Sequence, residues 1–331
     1  MSINMRTKTR KLVEVMSDSA QTVIATPNGN DTFMNKVAKF TFGAYSTAVG
    51  IASTATNAHY GFLSVDNIAK DYLLVTTYAV SSNNGELVSL PLETPEKAFL
   101  KEANNDCLKK GGHWHPLSIH EYAALKYHHY AQTGKAYAGS NFDYDIVSGK
   151  TIDEAETGYS DVELNLGNVY NGIHLHEFPQ LPVMGIRVVN GVFQAKTAAG
   201  LADKVPALWN SETDGWQWLD ASTGEFKYVS DGIDTAKALY ISDSTTKKAY
   251  QMSSELISIG TNEISASAIN QLKLLQLYPN SLNPYLTKVG TRSDSGTYYA
   301  IFKHDCKEVM FWGAEDWSGD ENTGALLCNF E

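Results

Sequence analysis

Residues 111–134, GGHWHPLSIHEYAALKYHHYAQTG, fix one helix and both of its ends before anything else in the chain is read. Ser118 and Glu121 have the spacing of a capping box, in which each side chain satisfies a backbone N–H that the first turn leaves orphaned. Ile119, Ala123, Tyr127 and Tyr130 keep helical period, and Gly134 supplies the stop. The stretch also holds five histidines, which makes metal binding the first chemical hypothesis to weigh. His113 and His115, and again His174 and His176 in GIHLHEF, have the i, i+2 spacing that sets two imidazoles on one face of a strand. His128 and His129 are neighbours on the helix and diverge, and no HExxH occurs, so packing and surface histidines are favoured over a metal site.

A second helix precedes this one. In TPEKAFLKEANNDCLKKGG, Thr94 is a good N-cap, Pro95 sits where its missing N–H costs nothing, and Glu96 suits the positive end of the dipole. Phe99, Ala103 and Cys107 share a face, and Gly111 ends it. Residues 1–50 are polar, with weak alternation around Val37, Phe40 and Phe42, and read as an arm or strand pair that docks on something else. From Tyr60 to Val80 the runs are β-branched and aromatic, closed by loop residues. Later, GIRVVNGVFQA places Asn190 and Gly191 between alternating residues, the signal of a two-residue hairpin. Residues 198–262 add hairpin-like material with Trp216, Trp218, Phe226 and Tyr228, read as an elaboration, and a short helix is expected near 266–277. The end is β: TYYAIFK, a turn at His304 and Asp305, KEVMFWG, the polar loop AEDWSGDENT, and a last strand GALLCNF. Two early helices and a sheet completed by the C-terminal strand make an α+β domain.

Composition closes off several functions. A chain of 331 residues with 43% apolar residues can build a real core. Its formal charge of −11 repels phosphate backbones, so nucleic acid is not an expected partner. No run approaches the roughly 18 apolar residues of a membrane span, and the basic start leads into no apolar signal core. Membrane insertion is therefore not expected, and synthesis in a cytoplasm without a secretory signal is. Three cysteines, Cys107, Cys306 and Cys328, are too few and scattered for a disulfide scaffold or paired-CxxC zinc module, although a single Cys107–Cys328 bridge stays open.

Calcium is weighed on the acid-rich stretches 141–145 and 315–322, neither of which has the rhythm of an EF-hand loop. No GxSxG and no phosphate-binding glycine loop is present, and Cys107 lies on an apolar face, so neither enzyme chemistry nor a cofactor is expected. The aromatic residues near the end are different in kind. Tyr298, Tyr299, Trp312 and Trp317 stand among His304, Asp305, Glu315, Asp316 and Asp320, and aromatic rings mixed with short polar side chains make rigid recognition surfaces at low entropic cost. These nine residues are the expected ligand-binding set, with Trp312 and Tyr299 equally readable as core.

The segment GHWHPLSIHEYAALKY resembles, without a gap, the form GWHLMTNAEWAAIAL of phage and prophage proteins with a C-type-lectin fold, the class that includes the major tropism determinant and other targets of diversity-generating retroelements. Trp114 and His115 take the WH, Ser118 the Thr, Glu121 the Glu, Tyr122 the second Trp, and Ala123 and Ala124 the paired alanines. Other landmarks follow in order: MNKVAKFTF (34–42), SLPLETPEKAF (89–99), LGNVYN (166–171), GIRVVNGVFQ (185–194), LLQLYP (274–279) and DWSGDENTGALLCNF at the end. The similarity spans about residues 34–331. It departs where GAED (313–316) replaces the usual arginine and glycine pair, and at 172–184, which resembles an insertion.

That resemblance implies a C-type-lectin-like domain over 51–331, two helices packed on antiparallel sheets, with 1–50 as an N-terminal docking arm. It further implies a virion receptor-binding protein of a phage tail, a homotrimer that meets a host cell-surface receptor, glycan or protein, through its C-terminal loops, and other tail subunits through its arm. A decoration or connector subunit without a receptor is the alternative. The fold also relates these proteins to formylglycine-generating enzymes, but Cys306 and Cys328 do not resemble their reactive pair.

Overall fold

The computed structural model describes residues 3–64, 68–78, 80–91, 93, 100–136, 180–183, 186–189, 192–196, 216–228, 231–234, 236–239, 250–251, 264–291, 298–303, 308–313 and 327–330. The fold is mixed α+β, dominated by antiparallel pairing. Its organising sheet takes strands from both ends of the chain. It is built from β1 (Gln21–Ala25), β2 (Asp31–Ala38), β3 (Tyr72–Thr76) and β6 (His115–Pro116), with the last strand, β16 (Leu327–Asn329), inserted between β3 and β6. Cys328 sits opposite Val75 on one side and His115 on the other. The expected completion of a sheet by the C-terminal strand is thus present.

Both faces of this sheet are covered, and strand alternation sorts the residues between them. Leu73, Val75 and Cys328 join a core with α4 (Ile119–Thr133) and α5 (Ala266–Leu274). Met34, Leu74 and Leu327 join a second core against α3 (Leu100–Lys110), with Cys107 and Trp114. Cys107 and Cys328 therefore lie in different cores, and both are free thiols. Thr94, Pro95 and Glu96, expected to start α3, lie outside the described residues, while Ala103 and Cys107 are buried as their spacing required.

The first fifty residues differ most from the sequence expectation. They hold a helix, α1 (Ile3–Met16), β1, β2 and a short α2 (Phe42–Ala48), and β2 runs antiparallel to β3 over five register pairs. They are built into the central sheet, not appended as an extended arm. The alternation around Val37 was a strand signal whose partner, β3, is remote in sequence.

The hairpin at Asn190–Gly191 forms as expected: β8 (Ile186–Val189) and β9 (Val192–Lys196) pair with Val189 opposite Val192. β9 then pairs with β10 (Trp216–Leu219), and β10 with β11 (Phe226–Tyr228). Leu219, Ala221 and Leu239 reach the core shared with α4 and α5, so part of the expected 198–262 elaboration is core. The β10–β11 turn presses on the start of α5. Gly224 has φ +76°, and a Cβ there would stand 2.5 Å from the Ser267 carbonyl carbon and Oγ, so only glycine fits.

The remaining large sheet has the order β12 (Tyr250–Gln251), β13 (Lys288–Thr291), β15 (Glu308–Gly313), β14 (Tyr298–Lys303), β7 (Gln180–Val183). Its only parallel pair is β13 with β15 among the described strands. No helix among the described residues is long and apolar enough to cross a membrane.

Candidate recognition surface

The expected C-terminal binding set falls on the β14–β15 ladder and the segments that leave it. Tyr299 is directly opposite Trp312, and Tyr298 is opposite Gly313. The ladder therefore brings Tyr299 and Trp312 together in register, and places Tyr298 at a position of opposite parity. β15 leaves at this same end toward 314–320. Of the nine expected residues the structure describes Tyr298, Tyr299 and Trp312, which lie together at one end of this ladder. His304, Asp305, Glu315, Asp316, Trp317 and Asp320 themselves lie outside the described residues, as do His174, His176 and 141–145.

Residues 314–326, which connect β15 of one sheet to β16 of another, lie outside the described residues.

The histidine-rich stretch is a buried network. Ser118 Oγ accepts from the Glu121 N–H at 3.3 Å and Glu121 Oε2 accepts from the Ser118 N–H at 2.8 Å, the reciprocal capping box read from the spacing. Glu121 Oε1 also meets His115 Nε2 at 2.7 Å, while His115 Nδ1 donates to the His113 carbonyl at 2.7 Å. The Phe330 ring stacks on His115 at 5.5 Å. This pairing of β6 with the first turn of α4 was missed at the sequence level, where His115 was matched to His113. The carboxylate one turn into the following helix was the signal.

His115, Glu121 and Cys328 also place a nitrogen, an oxygen and a sulfur within 4.8 Å of one another, a donor set that suits zinc. Ligands around a tetrahedral ion stand more than about 3 Å apart, whereas Nε2 and Oε1 are at hydrogen-bond distance. The arrangement matches a hydrogen-bonded clasp better than a metal centre. His128 is different: burial pushes its imidazole down to about 4.

A second surface lies at β10–β11. Trp218, Phe226, Tyr228, Asp231, Ile233 and Asp234 line an open cleft of about 590 Å³, together with Lys227 and Gly232. Trp218 is its buried floor, held by an Nε1 bond to the Gly232 carbonyl at 3.1 Å, and Tyr228 is 45% exposed. Asp220 organises the turn beneath. Burial raises its pKa, but bonds from Lys227, Ser222 and Thr223 outweigh that and hold it at about 2. Lys227 is thereby engaged at 2.7 Å and lies 5.4 Å from the Trp218 ring centre. Asp231 and Asp234 lie on the rim, Asp234 paired with Lys237 at 3.0 Å. Sequence reading noted these aromatic residues without assigning them a site, because Asp231–Asp234 meet the hairpin only in the fold.

No protein-family model matches this sequence, and no curated protein is significantly similar to it. Fold and surface together define an α+β protein with antiparallel sheets, a central sheet completed by its C-terminal strand, and an open cleft at β10–β11 lined by aromatic and acidic residues.

Proposed function

We propose that the chain is a phage virion protein with a C-type-lectin-like domain, which binds a host cell-surface receptor through its C-terminal loops. The observation that carries this reading is the Tyr299–Trp312 register pair on β14 and β15, from which the chain continues through 314–326 to β16. The resemblance of the Trp114–Ala124 segment supports it, since that segment forms a capped helix against the terminal strand. The mechanism is recognition without bond chemistry. Trp317 and the tyrosines supply anchoring area, Glu315, Asp316 and Asp320 supply specificity, and a homotrimer multiplies weak sites by avidity.

The test is retention of labelled protein on cells of the bacterial host, wild type against the Trp317→Ala, Asp316→Ala double variant. Wild type is expected to be retained and the variant to fall to background. A folded wild type that no host cell retains sinks the reading.

A decoration or connector subunit is the second reading, favoured by the exposed apolar residues of α1. It predicts that Trp317 is protected from labelling in whole particles.

A further inference from the structure

Helix α1 is docked by its polar side. Arg6 pairs with Asp31, Glu14 accepts from Arg10 at 3.1 Å and from Thr22 at 2.6 Å, and Val13 is its buried apolar contact, packed with Val23, Phe33 and Tyr78. The opposite side is apolar and faces water. Leu12, Val15 and Met16 are 49%, 78% and 44% exposed, and at i, i+3 and i+4 they are surface neighbours. Lys8 and Lys11 stand beside them, one turn earlier, and no acid shares that face. A helix docked through part-buried charged side chains and one buried valine, with its other apolar residues exposed, carries an interaction surface, and its cations call for an acidic partner.

The molecule carries a surface of that kind. The 218–234 cleft is walled by Phe226, Tyr228 and Ile233 and rimmed by Asp231 and Asp234; its own Lys227 is held by Asp220, and Asp234 carries a solvent-exposed ion pair with Lys237 at 3.0 Å that a second copy's lysines would compete with. We infer that α1 of one copy docks into the 218–234 cleft of a second copy, the Leu12–Val15–Met16 stripe against the aromatic wall and Lys8 and Lys11 toward Asp231 and Asp234. Side-by-side contact between two α1 helices would instead oppose like charges.

Size sets the strength. The cleft volume takes a cluster of side chains, not the whole helix, which is about 21 Å long. Each contact falls below the roughly 1,200 Å² of a stable complex, so it is weak alone. Because the two surfaces differ, contacts propagate head to tail and gain strength by closing a ring or extending a chain. This holds whether or not the chain binds a receptor.

The experiment is sedimentation equilibrium of the full chain at rising concentration, with a helix variant (Lys8→Glu, Lys11→Glu) and a cleft variant (Asp231→Lys, Asp234→Lys). Wild type is expected to self-associate, and each variant alone to do so at least about tenfold more weakly, since like charges then meet. Mixing the two variants restores opposite charges and is expected to restore association. Leu12→Ser with Val15→Ser gives a charge-neutral version of the helix test, with circular dichroism confirming the fold. A wild type that stays monomeric overturns the inference. So does association that survives either reversal, or a mixture that fails to recover.

Discussion

Helices α1 and α4 are nearly equal in length and use their sequences in opposite ways. α4 is buried along its whole first half, from Ile119 to Lys126, and its polar residues serve inside: Glu121 holds His115, and Lys126 lies 5.5 Å from the Tyr122 ring centre. α1 touches the sheet through Arg6, Glu14 and Val13 and turns its leucine, valine and methionine outward. The difference teaches that amphipathic pattern says which residues share a face, but only the partner decides which face is inside. For α4 the partner is its own sheet. For α1 an apolar face remains over, which is why a second copy is invoked.

The largest expected effect tests the α4 side. Glu121→Ala removes the acceptor of the Ser118 N–H and of His115 in a site without solvent access, and unmade buried bonds cost about 1–3 kcal/mol each. A loss of roughly 3–5 kcal/mol is expected by denaturant titration. A loss under 1 kcal/mol would mean that the clasp does not hold β6 to α4.

His128, on the second half of α4, makes the same point through pH. Burial lowers its folded pKa from the usual 6.5 to about 4, so between those values the unfolded chain binds the extra proton. Stability is expected to be constant above pH 6.5 and to fall as pH drops from 6.5 toward 4, by at most about 3 kcal/mol. His128→Leu removes this one contribution. The check is urea midpoints for both proteins across that range, and parallel curves would show that His128 is not the titrating group.

How much could be read beforehand divides along the same line. The cap at Ser118, the stop at Gly134, the Asn190–Gly191 hairpin and the β14–β15 ladder were legible because the residues that decide them are within a few positions of each other. The burial of α4 exceeded its one-sided period, since helices α2 and α5 and the sheet close on it together. α1 was illegible: no glycine closes it, and a basic run with few apolar residues looks like an arm until Asp31 and Thr22 are brought beneath it. Of the expected binding set, the pairing of Tyr299 with Trp312 was not legible: the expected turn at His304–Asp305 would have set Tyr299 opposite Met310. Nor was the 218–234 cleft, because its two walls meet only through tertiary packing.

A smaller loss is expected where α1 meets the sheet. Val13 is 4% exposed, and Val13→Ala removes two buried carbons at about 0.8 kcal/mol each, plus a cavity contribution. A cost of about 2 kcal/mol, read from thermal or urea unfolding, would establish that α1 belongs to the folded domain. Unchanged unfolding accompanied by selective loss of helix signal would show instead that it frays independently.

The smallest effect on stability carries the most weight for the comparison. Leu12→Ser alters a side chain that is half exposed and turned about 100° around α1 from the buried Val13. In an isolated chain it is expected to change stability by no more than about 0.5 kcal/mol, the ordinary range for surface sites. If the outward stripe is an interface, the same variant shifts unfolding only at concentrations where wild type associates, because oligomerisation stabilises by mass action. Unfolding midpoints measured at low and high protein concentration separate the cases. A destabilisation that is large at both concentrations would place Leu12 inside the monomer's own packing, and would make α1 a helix of the same kind as α4.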